Sequence, residues 1–236
     1  MLIVDKKSFN IGLGLLISFL VVLALMLSPV IDGKTILIYS EDLFNSLTKG
    51  STYQIPAVEK SAEKFAGTSF SVSVKAADAA EGEQIAKVYG SAGADVKVDS
   101  NKVDISGDLG KISLAALKDA DALFNGRVDE LKGAYGMDGK EVIYCWYGGF
   151  KALNKQYKLD AKSSEMSFTG NVMSKALEPA YNFEGIKPVK VREKMGVTGF
   201  LLTFYVIYTV WFGFAVMYLF EGMGITATAA KKKLEA

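Results

Sequence analysis

Two long apolar stretches lie near the ends of this chain, at residues 11–31 and 197–220, and neither contains Asp, Glu, Lys or Arg. An α-helix rises about 1.5 Å per residue, so about 20 apolar residues cross the ~30 Å hydrocarbon core of a bilayer. A helix also makes its backbone hydrogen bonds internally, which lipid requires because it offers no partners. The sequence therefore predicts two transmembrane helices joined by a long polar segment.

The segment between the two stretches has the composition of an ordinary globular protein, although 50% of the whole chain is hydrophobic. Its length suits one small domain or two subdomains. The net charge of the chain is +1, and no block of Lys and Arg with interleaved aromatic residues occurs in this segment. We therefore expect no binding of nucleic acid.

Histidine is absent and cysteine occurs once, at Cys145. These two residue types are the usual ligands of zinc, copper, haem and iron–sulfur clusters, so we expect no metal and no cofactor. The absence of histidine also removes the commonest general base near neutral pH. No spacing of carboxylates, lysines or tyrosines indicates another catalytic site, and we expect that the protein is not an enzyme.

Basic residues predict the orientation of the two helices. Lys6 and Lys7 precede the first stretch, and residues 231–233, all lysine, follow the second. Because basic flanks tend to stay in the cytoplasm, both termini are predicted to be cytoplasmic and the central segment extracytoplasmic. The absence of Asn-x-Ser/Thr sequons favours a plasma membrane of bacterial type, the inner membrane.

Two observations leave alternatives to this arrangement. Four basic residues lie directly before the second stretch, on its predicted outer side: Lys187, Lys190, Arg192 and Lys194. Long translocated segments respond little to charge, so the orientation is kept. The first stretch could also be a cleaved signal peptide, but it is longer than the roughly 7–15 apolar residues of such a peptide and lacks a good cleavage motif.

Alternating and helical patterns in the central segment predict a mixed fold. In residues 69–75 apolar and polar side chains alternate, which is typical of a strand with Phe70, Val72 and Val74 on one face. The elements after it are a helix at 79–89, strands at 95–99 and 102–106, and a helix at 112–131 with a possible break at Gly126. This order predicts a small three-stranded sheet with helices on one face.

Further helices are predicted on both sides of this unit, at 41–50, 57–66, 141–159 and 167–177, the last closed by Pro179. The fold class is therefore α+β, with two transmembrane helices flanking an extracytoplasmic domain made of a small three-stranded β-α-β-β-α unit and additional helices. The predicted divisions are a cytoplasmic N-terminus (1–10), transmembrane helix 1 (11–31), a membrane-proximal helical segment (32–68), the α+β subdomain (69–132), an aromatic-rich helical segment and linker (133–196), transmembrane helix 2 (197–220) and a cytoplasmic basic tail (221–236).

Four aromatic residues lie close together in the helix predicted at 141–159: Tyr144, Trp146, Tyr147 and Phe150. Tyr and Trp offer large, rigid contact area with a polar tip, so the cluster is a candidate partner surface. It could also lie at the lipid headgroup layer. The alternative is that these rings pack in the core of the domain.

Small and hydroxyl residues recur four apart in the second apolar stretch. The pairs are Gly199 with Thr203 and Thr209 with Gly213, and the first stretch has Gly14 with Ser18. Such pairs let a second helix approach closely and hydrogen-bond in lipid, so they predict association with other membrane subunits or with a second copy. The alternative is a generic anchor in which these residues are incidental.

These features lead to two hypotheses about function. The first is a non-catalytic two-pass membrane protein that acts as an accessory, scaffold or assembly subunit of a membrane protein complex through its extracytoplasmic domain. Its partners would be other membrane protein subunits and the lipid bilayer. The second is an extracytoplasmic module for ligand sensing, or for lipid or substrate delivery, with a pocket near Tyr144 and Trp146.

Overall fold

The computed structural model describes residues 3–225. These residues form two compact units. The terminal unit contains the chain up to Phe44 and from Val189 onward, and the central unit is Asn45–Pro188.

The terminal unit is built on two long helices, α1 (Lys6–Met26) and α10 (Val191–Gly222). An 18-residue window of α1 has a mean hydropathy of 2.5 and one of α10 has 1.9, and both helices are long and apolar enough to cross a membrane. The side chain of Asp5 caps the start of α1 by accepting a hydrogen bond from the backbone N–H of Lys7. Helix α1 ends at Met26, before Pro29, and so lies nearer the N-terminus than the predicted range 11–31.

Helices α1 and α10 pack against each other in antiparallel fashion. The backbone N–H groups of Val4 and Asp5 donate to the carbonyl of Gly222 at 2.8 and 3.0 Å. Farther along the pair, the rings of Phe19 and Tyr208 stack with centroids 4.2 Å apart. The start of α1 therefore lies beside the end of α10.

The central unit contains a three-stranded antiparallel sheet in the order β1-β3-β2. Its strands are β1 (Ser69–Lys75), β2 (Asp95–Asp99) and β3 (Lys102–Asp108). The predicted alternation is confirmed, because Phe70, Val72 and Val74 are buried while the residues between them are exposed. One face of the sheet thus packs on the core and the other is solvated.

Helices make up most of the rest of the chain. Between the two long helices these are α2 (Ile36–Ser51), α3 (Ile55–Ala62), α4 (Ala79–Ser91), α5 (Leu109–Phe124), α6 (Val128–Tyr135), α7 (Gly139–Leu159), α8 (Ser163–Val172) and α9 (Glu178–Asn182). A 3₁₀ turn, Glu63–Phe65, follows α3, and a π-helical turn, Met173–Leu177, joins α8 to α9. The mixed α+β class with a small sheet and two membrane-length helices is therefore confirmed.

Two helix boundaries differ from the sequence prediction. The helix expected at 112–131 is two helices, because Gly126 takes a left-handed φ of +76° and the chain turns there. Pro179 does not end the last helical run but lies in the first turn of α9. Proline fits that position because the first-turn N–H groups have no partner within their own helix.

Helices α5 and α7 supply much of the core of the central unit. Trp146, Phe150 and Leu153 of α7 and Leu117 and Leu123 of α5 are fully buried. These side chains pack in one continuous cluster with the inner face of the sheet. The core therefore fixes which face of α7 remains exposed, and that face carries the candidate site.

Candidate interaction surface

Helix α7 begins with a complete capping box. The carboxylate of Asp138 accepts from the first-turn backbone, and the carboxylate of Glu141 accepts from the backbone N–H of Asp138 at 3.0 Å. This arrangement satisfies N–H groups that the helix itself leaves unpaired. The residue at which α7 begins is therefore well defined.

The helical period separates the four predicted aromatic residues onto two faces of α7. Trp146 and Phe150 are 0% exposed and lie in the core, whereas Tyr144 is 57% exposed. Tyr147 is partly buried at the edge between the two faces. The structure therefore leaves Tyr144 and Tyr147, but not Trp146 and Phe150, available on the surface.

Trp146, a buried member of this aromatic cluster, belongs to a hydrogen-bonded network. The carboxylate oxygen Oδ2 of Asp119 accepts from Trp146 Nε1 at 2.8 Å and from the Tyr135 hydroxyl at 2.7 Å. The hydroxyl of Tyr89 donates to the Trp146 carbonyl at 2.9 Å, with the two rings 4.5 Å apart. Trp146 thus joins α7 to α4, α5 and α6 and has a structural role.

Burial shifts the acidity of several groups in this network. It raises the pKa of Asp119 above its ordinary value, although the two donors oppose the shift. It also raises the pKa of Tyr135 to about 12, with help from the Asp119 hydrogen bond, and that of the Cys145 thiol to about 12. A thiol held protonated in this way is a poor nucleophile.

The exposed face of α7 centres on Tyr144, which lines three separate clefts of the central unit. The first has a volume of about 220 Å³ and is mostly apolar. Its walls are Ile143, Tyr144, Tyr147, Leu177, Glu178, Tyr181 and Asn182. A ring from α9, Tyr181, therefore faces the two tyrosines of α7 across an apolar floor.

The other two clefts on this face are more polar. One, of about 360 Å³, lies between Tyr144, Tyr181, Lys140 and the first turns of α4. The other, of about 340 Å³, we call the lysine cleft. It is lined by Val74, Lys75, Glu81, Ile85, Tyr144, Tyr147, Gly148, Lys151, Ala152 and Lys155.

Sequence reasoning missed several residues of this surface. Lys151 and Lys155 follow Tyr144, Tyr147 and Gly148 at spacings of three and four, so a helical projection of α7 would have placed them together. Tyr181 and Lys75 gave no such signal, because α9 and β1 reach α7 only through tertiary packing.

The four small residues predicted in the second apolar stretch are exposed within the terminal unit: Gly199, Thr203, Thr209 and Gly213. A Cβ atom added at Gly199 or Gly213 would meet nothing within 4 Å. The close approach to α1 is made instead by Ala215 and Gly222 of α10 and by Gly12 of α1. The predicted residues therefore lie on a face of α10 that α1 does not use.

No protein family, curated protein or solved structure matches the chain. On its own chemistry, the Tyr144 face offers exposed phenol rings, an apolar recess and lysine side chains at its rim. Aromatic anchors surrounded by polar side chains are the usual make-up of a protein contact site. The face is thus suited to recognition.

Proposed function

We propose that this chain is a non-catalytic two-pass membrane protein and an accessory, scaffold or assembly subunit of a membrane protein complex. In this proposal α1 and α10 anchor the chain in a bacterial inner membrane, and both termini are cytoplasmic. The central unit lies outside the cytoplasm and docks on other subunits. The observation that carries the proposal is the exposed Tyr144 face on a folded unit whose sequence lies between two lipid-compatible helices.

The exposure of the two long helices supports membrane anchoring. A core helix of a soluble protein would be mostly buried, but only 6% of the apolar window of each helix is buried here. Large side chains such as Ile17, Val21, Val206 and Phe212 are exposed. Lipid is the solvent in which such surfaces are stable.

The antiparallel packing of α1 and α10 supports placing both termini on the same side of the membrane. The start of α1 lies beside the end of α10, where Phe9 contacts Gly222. In the sequence, Lys6 and Lys7 precede the apolar part of α1, and the lysines at 231–233 follow α10. Basic flanks are retained in the cytoplasm, so the central unit would be translocated.

The shape of the Tyr144 face favours docking over small-molecule sensing. Pockets for small ligands usually enclose about 300–1,000 Å³ of mainly apolar space. The apolar cleft here has about 220 Å³, and the two larger clefts are lined by charged side chains. An exposed tyrosine between three separate recesses is better suited to a protein partner.

The exposed face of α10 gives the proposal a second contact region. Gly199, Thr203, Thr209 and Gly213 would let another transmembrane helix approach the backbone closely. The hydroxyl of Thr209 already donates to the Tyr205 carbonyl at 2.8 Å within its own helix. Partner subunits could therefore contact both the central unit and the membrane helices.

Co-purification tests the proposal. The tagged full-length chain would be extracted in mild detergent, and chains recovered in fixed ratio would be identified. We expect Tyr144→Ala to weaken recovery of partners at least tenfold, since buried aromatic anchors commonly contribute about 2 kcal/mol or more. Leu159→Ala is the matched control, because Leu159 is 78% exposed on the same helix and lies outside the three clefts.

Recovery of the wild-type chain as a lone monomer would overturn the complex-subunit proposal. Equal loss of partners in both variants would remove Tyr144 as the anchor. Circular dichroism and thermal unfolding of both variants would show whether the fold is retained.

A further inference from the structure

The lysine cleft contains an uneven distribution of charge. Lys75, Lys151 and Lys155 line it together with a single carboxylate, Glu81. Among residues 3–225, none of the ion pairs within 4.0 Å involves any of these three lysines. The cleft therefore presents ammonium groups without carboxylate partners from the described part of the chain.

The one carboxylate of the cleft is already engaged at the start of α4. The side chain of Glu81 accepts a hydrogen bond from the backbone N–H of Ala77. Asp78 caps the same helix by accepting from the backbone N–H of Glu81 at 2.9 Å. The carboxylate of Glu81 thus stabilises the start of α4. The three lysines give the cleft a net positive charge toward a ligand.

Helix α7 leaves open space in the wall of the cleft at Gly148. Gly148 lies between Tyr144, Tyr147 and Lys151, and a Cβ atom at this position would meet nothing within 4 Å. Glycine in a helix interior costs about 0.5–1 kcal/mol relative to alanine. The fold does not need glycine here, but a side chain entering the cleft would find room above it.

We infer that the lysine cleft binds an acidic segment of a partner protein, with an apolar side chain of that segment placed over Gly148 between Tyr144 and Tyr147. Carboxylates of the segment pair with Lys75, Lys151 and Lys155. This inference rests on the proposed function and names the partner chemistry of its docking surface. It predicts binding that weakens as salt rises, because exposed ion pairs are screened.

The charge of the cleft argues against two other occupants. Residues 231–233 of this chain are all lysine, so its own tail carries the same sign as the cleft. A bilayer surface carries anionic headgroups, but its planar face fits a flat or convex basic patch. A recess of about 340 Å³, in which Val74, Ile85 and Ala152 line the wall beside the lysines, is better matched by side chains projecting from a peptide.

A peptide selection tests the inference on the full chain. The protein, in nanodiscs of zwitterionic phosphatidylcholine, would be panned against random peptides displayed on phage. We expect the selected peptides to be enriched in Asp and Glu next to an aromatic or aliphatic residue. Their affinities would then be measured by fluorescence polarisation at low and high salt.

Charge reversal identifies the binding site of the selected peptides. The double variant Lys151→Glu/Lys155→Glu should weaken binding on the order of tenfold or more, since it removes two attractive pairs and adds repulsion. Lys132→Glu/Lys158→Glu is the control with the same change in net charge, because both of its lysines are exposed and lie outside the cleft. The control should bind as the wild type does at physiological salt.

Filling the cleft gives a second variant that keeps the fold. Gly148→Leu replaces a poor helix former with a good one and projects into open space. We expect unchanged or higher thermal stability with peptide binding lost. Loss of binding without loss of stability separates occupation of the cleft from damage to the fold.

Three results would overturn the inference: selected peptides without acidic enrichment, equal affinity of the two charge variants, or binding of soluble short-chain phosphatidylglycerol in the cleft in place of peptides. If co-purifying partners persist in Lys151→Glu/Lys155→Glu, the cleft is not their site and the proposed function stands. If the wild-type chain co-purifies with no partner, the proposed function fails whatever the peptides do.

Discussion

Asp119 shows how a single residue can organise the core of the central unit. It is 9% exposed, and its carboxylate receives the indole N–H of Trp146 and the hydroxyl of Tyr135 on one oxygen. Two aromatic donors from different helices are thereby satisfied in a region with little water. An unpaired donor there would cost about 1–3 kcal/mol.

Substitutions at Asp119 separate its hydrogen bonds from its charge. Asp119→Ala leaves both donors buried without a partner, and we expect it to lower the free energy of unfolding by about 2–4 kcal/mol. Asp119→Asn keeps an acceptor and removes the buried charge, so its effect at neutral pH should lie within about 1 kcal/mol of zero. Denaturation of the full chain in mild detergent measures both changes, and equal destabilisation by the two variants would contradict this account.

The same carboxylate predicts a pH dependence of stability. Burial raises the folded pKa of Asp119 above its unfolded value, so the folded state binds the proton more tightly. This contribution is fully present below the ordinary carboxyl pKa and is lost as pH rises through the raised folded pKa. The stability difference between wild type and Asp119→Asn should therefore change across that window, and a pH-independent difference would contradict the assignment.

For single residues, the sequence predicts which apolar side chains are buried better than which polar side chains are buried. Phe70, Val72 and Val74 follow from strict alternation. Asp119 does not, because a carboxylate within an apolar stripe gives no sign of the tyrosine and tryptophan that meet it from α6 and α7. Such a network joins side chains that are distant in sequence, and the periodicity of one helix carries no information about its partners on other helices.

At the scale of elements, α7 shows how one helix serves two purposes. Its inner face, with Trp146 and Phe150, packs in the core, and its outer face, with Tyr144 and Gly148, lines the clefts. The aromatic content of the segment is evident in the sequence. The division between faces follows once the helical period is applied, but which face is buried depends on the neighbouring helices.

Two adjacent glycines of α7 should respond oppositely to alanine. Gly149 faces the Tyr89 ring, and a Cβ atom there would overlap the Tyr89 hydroxyl that donates to Trp146. Gly149→Ala should therefore destabilise the full chain by about 1–3 kcal/mol, as overpacking does. Gly148→Ala meets open space and should stabilise it by about 0.5–1 kcal/mol. Thermal unfolding of both variants in the same detergent measures these changes. Destabilisation by Gly148→Ala would contradict the conclusion that Gly148 faces open space.

The packing of α1 on α10 gives a second matched pair. A Cβ atom at Gly12 would lie 2.6 Å from the backbone nitrogen of Leu219, whereas one at Gly14 would meet nothing within 4 Å. Gly12→Val should force the helices apart and lower thermal stability in detergent, while Gly14→Val should have little effect. Equal behaviour of the two variants would show that this contact does not hold the pair.

Element boundaries were predicted well where a pattern is regular and poorly where backbone geometry decides. The three strands follow from alternation around the Ser100 turn, where φ is +56°. The division of the predicted helix 112–131 depends on Gly126, for which the sequence allowed only a possible break. The sequence predicts that Pro179 closes a helix, but the ring of proline also fits a first helical turn.

At the scale of the whole molecule, the chain combines a folded central unit with two helices whose surfaces suit lipid. The apolar stretches alone predicted the helices, and residue periodicity predicted the class of the central fold. The Tyr144 face required the structure, because α4, α7, α9 and β1 contribute to it from separate parts of the chain. The membrane placement of the central unit is the claim on which the docking proposal depends.

Cysteine labelling tests that placement with little interference from the native chain. Cys145 is 2% exposed, and burial raises its pKa to about 12, so it should not react with a maleimide in the folded protein. Reporter cysteines can therefore be added to the wild-type sequence. Ser164→Cys reports on the central unit and Val4→Cys on the start of α1, since both residues are exposed.

The decisive measurement is the labelling of expressing cells with a membrane-impermeant maleimide. The outer envelope layers are removed first, and the inner membrane is kept intact. We expect that Ser164→Cys is labelled without permeabilisation and that Val4→Cys is labelled only after the membrane is opened. Unmodified wild-type chain, carrying only Cys145, should stay unlabelled in both conditions. Labelling of Val4→Cys in intact cells, with Ser164→Cys protected until permeabilisation, would contradict the placement of the central unit and the partner surface that depends on it.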